Sequence, residues 1–314
     1  MTQPPLVTVL AGGVGAARFL TGLVQVHPPE RICAVVNTAD DFVLHGLHVS
    51  PDLDTVTYTL AGAVNPDTGW GLAGETWQAM DGLGRYGGPT WFRLGDRDLG
   101  THLYRTGRLA AGADLATITG EIAGGWDIGV RLLPVTNDRL ETRVTVEDEG
   151  EIGFQEYFVE RRHQIPVTAV RFDGADAARP APGVVDAIAD AGVVVVAPSN
   201  PMVSIGPVLA VPGVRQAVTA RRDAVVAVSP IIAGSALKGP ADRLLRELGH
   251  EASVVGIARL YTELVGTLVI DDADADLAAA VEAEGVRCVV AATIMSGPAA
   301  AADLARSVLE AVPT

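Results

Sequence analysis

The sequence predicts an α/β fold: a Rossmann-like parallel-sheet core with an inserted α+β subdomain. Three observations carry the prediction. An apolar run, "LVTVL", breaks into Gly12-Gly13-Val14-Gly15 and resumes as the helical "AARFLTGLVQV". Continuous Val/Ile runs return in the second half, alternating with helical patterns, as in strands buried on both faces of a parallel sheet. Between them lies a stretch of different character, rich in glycine and tryptophan and then in alternating segments.

Taken in order, the first core region covers 6 to 62. It runs from strand "LVTVL" through the glycine turn and helix to strand "RICAVVN". A polar loop, "TADDFVLHGLHVSPDLDT", follows, and then a helix, "VTYTLAGAV". The insertion is expected over 65–180, with 1–64 and 181–314 as the core. Inside it, "ETRVTVEDEGEIGFQEYFVE" reads as a hairpin around "EDEGE", and "VTAVRF" as a strand. The loop signal "FDGADAARPAPG" marks the return to the core. Beyond it, "AGVVVVAPS", "DAVVAVSP", "ASVVGIA", "GTLVI" and "VRCVVA" read as buried strands. "PADRLLRELG" and "DADLAAAVEAEG" read as helices, and the acidic "DDADADLAAAVEAEG" around the second as a solvated helix and not a metal cluster.

Composition excludes several classes. Of 314 residues, 48% are hydrophobic and 19% charged, a globular balance with no mark of disorder. The net charge of −15 opposes nonspecific binding to nucleic acid or an anionic membrane, because the long-range field has the wrong sign. No basic leader precedes the first apolar run, and no apolar stretch is long enough to span a bilayer. Cys33 and Cys288 stand far apart in apolar runs and read as reduced thiols of a cytoplasmic protein.

Four places carry chemistry. Gly12, Gly13 and Gly15 allow a tight turn whose amides reach phosphate oxygens at a helix N-terminus, with Arg18 close by. The third glycine of a dinucleotide fingerprint is missing, and no G-K-[ST] is present, which weakens a nicotinamide-linked oxidoreductase and excludes a Walker loop. The loop from Asn37 carries Asp40, Asp41, Asp52 and Asp54. Acids at that strand end, facing a phosphate turn, fit a divalent cation held between carboxylates and a diphosphate. "WFRLGDRDLGTH" sets Arg93, Asp96, Arg97 and Asp98 beside aromatic rings suited to a flat ligand. Ser199, Asn200, Ser229 and Lys238 follow two later strands and would present polar groups at the same sheet edge.

The blocks "GGVGAARFL", "NTADD", "SPDLDTVTYTLAG", "LGDRDLGTH", "GFQEYFV", "APSNPMVSIGPVL" and "AVSPIIAGSALKGPADRLL" occur in this order over about residues 7 to 246. Together they resemble the 2-phospho-L-lactate transferase family of deazaflavin coenzyme biosynthesis. The resemblance implies a Rossmann-like core, a homodimer and Mg²⁺ dependence. It implies transfer of a three-carbon acid phosphate from a guanosine diphosphate-linked donor to 7,8-didemethyl-8-hydroxy-5-deazariboflavin, releasing GMP. In the actinobacterial branch, which "GGVGAARFL" resembles, the acid is enolpyruvate; in the archaeal branch it is lactate. Carried over by block, Asp54 and Arg93 are the expected deazaflavin contacts, where many relatives have lysine in place of Arg93. Asp41 and Asp54 are then the expected catalytic acids, and Asp40, Asp41 and Asp52 the expected Mg²⁺ ligands. Gly12, Gly13, Gly15, Arg18, Asn37, Ser199, Asn200, Ser229 and Lys238 are expected to bind the nucleotide and its phosphates. The alternative is a non-catalytic nucleotide-sugar-binding regulator on the same core, which is not expected to combine "SPDLDT", "LGDRD" and "GFQEYFV".

Overall fold

A computed structural model describes residues 4–147 and 149–312. Its centre is a sheet of seven parallel strands: β1 (Val7–Ala11), β2 (Ile32–Val36), β3 (Arg131–Pro134), β4 (Val193–Val196), β5 (Val225–Val228), β6 (Thr267–Asp271) and β7 (Arg287–Ala291). Their spatial order is 3-2-1-4-5-6-7, so the winding direction reverses between β1 and β4. Val7 is level with Ile32 on one side and with Val193 on the other. In open sheets of this kind, ligands gather outside the carboxyl ends of the strands at that reversal.

Every residue of β1, β2, β4, β5 and β6 is buried, as the unbroken Val/Ile runs require of strands covered on both faces. Val7, Val9 and Ala11 point into one core with helices α1 (Val14–Val26), α2 (Pro51–Leu60) and, at the end of the chain, Pro298–Glu310. Leu10 points the other way, toward the helices Val184–Ala189 and Val254–Tyr261.

Four expectations are corrected. The strand β3 lies inside the expected 65–180 insertion yet forms the outer strand of the main sheet beside β2. "ASVVGIA" is not a strand but the start of the helix Val254–Tyr261, where the Ser253 hydroxyl caps by accepting from Gly256 N–H at 3.1 Å. "SPDLDT" is not loop but the first turn of α2, with Ser50 at the N-cap and Pro51 at the first helical position. Ahead of it, the polar loop folds into a hairpin of Phe42–Leu44 against Leu47–Val49, turning through His45 and Gly46 at positive φ. The acidic C-terminal segment is likewise not wholly solvated. Asp271 is buried, and its carboxylate accepts from Thr293 N–H and Oγ1–H at 2.9 and 2.7 Å.

The rest of 65–180 matches its reading more closely. The hairpin Glu141–Val146 with Gly150–Gly153 pairs with Val167–Asp173 in a three-stranded antiparallel sheet. Ahead of it stands helix α3 (Asp98–Ala110), which the sequence reading did not resolve. Among the described residues, no helix is long and apolar enough to cross a membrane.

Candidate functional site

A cavity of about 810 Å³ opens at the carboxyl end of the sheet, over the reversal between β1 and β4. Loops after β1, β2, β4, β5 and β7 line it, together with α2, α3 and the aromatic stretch 70–93.

One end is the glycine turn. Helix α1 begins at Val14 with no side chain capping its first amides, and Gly13, Val14, Gly15 and Arg18 all face the cavity. Uncapped amides at a helix N-terminus are an anion site. A Cβ on Gly15 would overlap the Pro198 carbonyl oxygen, so only glycine lets the turn meet the strand-β4 loop. Gly12 does not line the cavity; its N–H is engaged by the Ser199 hydroxyl at 3.3 Å, which joins the two loops across the reversal. Arg18 has no ion pair among the described residues, which leaves its guanidinium free for a ligand.

Beside this turn lie the acids. Asp52 sits so close to Gly13 that a Cβ there would be 2.6 Å from its Oδ1. Burial raises the Asp52 carboxyl to about 6, against a hydrogen bond from Asn37 Nδ2 at 3.0 Å. Asp40 is 7% exposed. Burial, and then the charge of Asp52, push its carboxyl well above the usual range, and its Oδ1 has no hydrogen-bond partner. Asp40 and Asp52 line the cavity, whereas Asp41 does not. Asp41 accepts from Ser50 Oγ–H at 2.7 Å and stands behind the wall, so the structure does not bring it to the cavity as the catalytic acid or metal ligand expected from the sequence. Asn37 is fully buried and is likewise no ligand contact. It holds Asp52 with one amide atom and accepts from Ala39 N–H with the other.

The opposite wall is built by α2 and α3. Asp54 and Tyr58 on α2 face Asp98, His102 and Arg105 on α3. Arg105 is 2% exposed and clasps both oxygens of Asp54, one at 3.2 Å and the other closer. Burial and the flanking carboxylates hold the Tyr58 phenol far above its ordinary pKa, so it donates to Asp98. Burial, Arg105 and His102 bring the neighbouring His48 down to about 4.

A third wall is aromatic. Trp77, Trp91, Phe92 and Arg93 line it, with the Arg93 guanidinium 4.5 Å above the Trp77 ring and Trp91 stacked on Phe42. The "LGDRD" block braces this wall. Asp96 caps the helix Gln78–Arg85 by accepting from Gln78 and Ala79 N–H at 2.9 and 3.0 Å. Glu75 returns the favour to α3 through Arg97 and Asp98 N–H, both at 2.8 Å. A side chain at Gly95 would displace the Glu75 carboxylate from this brace.

This geometry sits in a chain that a family model, described as 2-phospho-L-lactate transferase CofD, matches over residues 7–305. The chain belongs to that family. It is a transferase, and its kin are named as such. The phosphoenolpyruvate transferase of Streptomyces griseus is 47% identical, over 97% of this chain and 97% of its own length. That of Streptomyces coelicolor is 46% identical over 96% and 97%, and that of Mycobacterium avium 43% identical over 97% and 98%. Two crystal structures of a Bacillus halodurans protein, one described as a UPF0052 family member, superpose with TM-scores of 0.62 and 0.64. They cover 98% of this chain at 17% and 18% identity, which shows a common fold and nothing finer.

Within this CofD-family fold the remaining expected residues divide. Ser199, Asn200, Ser229 and Lys238 line the cavity. The Asn200 side-chain Oδ1, however, caps the turn Pro201–Ile205 by accepting from Met202 and Val203 N–H. The Ser229 hydroxyl is closed on Ile231, accepting from its N–H and donating to its carbonyl. Lys238 is exposed and donates to the Thr68 carbonyl at 3.3 Å, across the cavity rim. Sequence reasoning missed Tyr58, His102 and Arg105 as site residues, and noted Asp98 only as part of a charge run. The signal was the spacing Asp98, His102, Arg105, one face of a helix at i, i+4 and i+7.

Proposed function

We propose that the chain transfers a phosphoenolpyruvate moiety from a guanosine diphosphate-linked donor to the terminal ribityl hydroxyl of 7,8-didemethyl-8-hydroxy-5-deazariboflavin, releasing GMP. The single observation that supports this best is that one cavity joins an uncapped helix N-terminus with a free arginine to an aromatic wall, with acids between. A phosphate-bearing donor suits the first and a planar ring suits the second. The names of the actinobacterial relatives favour enolpyruvate over lactate in the donor. The expected homodimer belongs to the same reading and rests on the family resemblance, and the expected cytoplasmic location rests on reading Cys33 and Cys288 as reduced thiols.

In this reading the ribityl oxygen attacks the phosphorus distal to guanosine. The bond from that phosphorus to the bridging oxygen breaks, and GMP leaves with the bridging oxygen. A phosphodiester forms, and the hydroxyl proton is lost. The Gly13–Gly15 turn and Arg18 hold the diphosphate, Asp54 orients the attacking hydroxyl, and Trp77, Trp91 and Arg93 hold the ring. Asp40 and Asp52 fit a magnesium ion. They are hard oxygen donors, their ionised forms are disfavoured where they stand, and one buried oxygen is left without a partner. Bound there, Mg²⁺ would neutralise charge developing on the diphosphate.

The test is a product assay with purified protein, Mg²⁺, the deazaflavin, and the enolpyruvyl or the lactyl donor. GMP and a deazaflavin phosphodiester in equal amounts, faster with the enolpyruvyl donor, are expected. Binding of nucleotide without any product would instead favour the regulatory alternative.

A further inference from the structure

Helices α2 and α3 could pack through apolar side chains, and for stability alone that interface would serve at least as well. They instead bury Asp54, Tyr58, His102 and Arg105 against one another, with the half-buried Asp98 beside them. Asp54, Tyr58, Asp98 and His102 reach the cavity, but Arg105 does not; it lies directly behind Asp54. A carboxylate has about four lone-pair sites, and Arg105 uses one on each oxygen of Asp54. His102 Nδ1 stands 3.7 Å from Asp54 Oδ2, too far for a hydrogen bond, so lone pairs on the cavity side of Asp54 are left for a ligand. His102 Nδ1 instead meets Arg105 Nη1 at 3.4 Å, its Nε2 lies 3.3 Å from Asp98 without a hydrogen bond, and Tyr58 fixes Asp98 from α2.

We propose that Arg105 is a positioning residue for the acceptor, acting through Asp54 by locking its carboxylate in the one orientation that meets the acceptor's hydroxyl. The inference rests on the reading of Asp54 as an acceptor contact. The planar fork of arginine matters here, because a lysine supplies the charge at one point and cannot hold both oxygens. The donor end, built from backbone amides and Arg18, does not depend on this clasp.

Steady-state kinetics on wild type, Arg105→Gln, Arg105→Lys, Asp54→Asn and the double variant Arg105→Gln/Asp54→Asn test it, alongside fluorescence titration of deazaflavin binding at a temperature where each protein is folded. Arg105→Gln is expected to lower kcat/KM for the acceptor by about 10- to 100-fold, the range for a lost charge-assisted hydrogen bond, while the donor KM stays put. Arg105→Lys should recover part of the loss. In the Asp54→Asn background the same Arg105 change should cost little more, because the two act as one unit. Equal damage to both substrates, or losses that multiply independently in the double variant, would overturn the proposal. Wild-type protein that does not bind the deazaflavin removes the functional reading and this inference together. Wild-type binding matched by Arg105→Gln removes only the inference.

Discussion

The two ends of the cavity are built in opposite ways. At the glycine turn the chain offers backbone: small residues, uncapped amides, and one arginine without an ion pair among the described residues. At the α2–α3 wall it offers side chains, five polar groups closed on one another with little room to move. The first end suits a ligand that brings its own charge and needs only donors. The second suits a neutral hydroxyl that needs an acceptor held still. Preorganised donors and acceptors of this kind act on a transition state without reorganising.

The largest effect should come from filling the backbone end. Gly15→Val drives a branched side chain into the Pro198 carbonyl, and overpacking of this kind costs about 1–3 kcal/mol or more. Chemical denaturation should show that loss, and nucleotide binding by the surviving folded protein should be abolished. A folded Gly15→Val that binds nucleotide normally would break the contrast between the two ends.

Arg18→Ala comes next. Because its guanidinium has no ion pair among the described residues, stability should hold, while the donor KM rises by about 10-fold or more through loss of a charged contact. The acceptor KM should stay level. A change in the acceptor KM alone would put Arg18 at the wrong end.

Magnesium should show itself through pH. The carboxyls of Asp52 and Asp40 are raised in the folded protein, Asp52 to about 6, so folding favours their protonated forms. For Asp52 that contribution is complete below the unfolded value of about 4 and is lost as pH rises through about 6, and the Asp40 contribution falls in the same direction. Without metal, these two groups therefore favour the fold at pH 5 over pH 7.5. Added Mg²⁺ competes with protons for the same oxygens, so it should raise Tm more at pH 7.5 than at pH 5. An equal shift at both would remove Asp40 and Asp52 as ligands.

The smallest effect belongs to Arg93→Lys. Arg93 is half exposed, and its stacking on Trp77 is worth about 0.5–1 kcal/mol. A rise of about two- to fivefold in the acceptor KM, with kcat nearly unchanged, would sharpen the assignment of the aromatic wall.

The same contrast explains what the sequence made legible. The glycine turn could be read directly, because strand, glycines and helix are contiguous and each glycine states a local steric need. The Val/Ile runs placed most of the sheet for the same reason. "ASVVGIA" misled because a short apolar run looks alike in a buried strand and a buried helix; the Ser253 cap was the discriminating signal. β3 escaped notice because "RLLP" is a four-residue strand ending in proline. The α2–α3 wall was half visible. Asp54 stood out as an acid, but Arg105 declares its role only when its helix is laid against α2, where Asp54 lies 51 residues earlier.

The most direct test of the two-ended cavity is a crystal structure with GDP and the deazaflavin bound together. The expected result places the diphosphate on the amides of the Gly13–Gly15 turn beside Arg18, and the ribityl hydroxyl on Asp54 with the ring between Trp77 and Trp91. A diphosphate seated at the α2–α3 wall, or a deazaflavin bound outside the cavity, would contradict it.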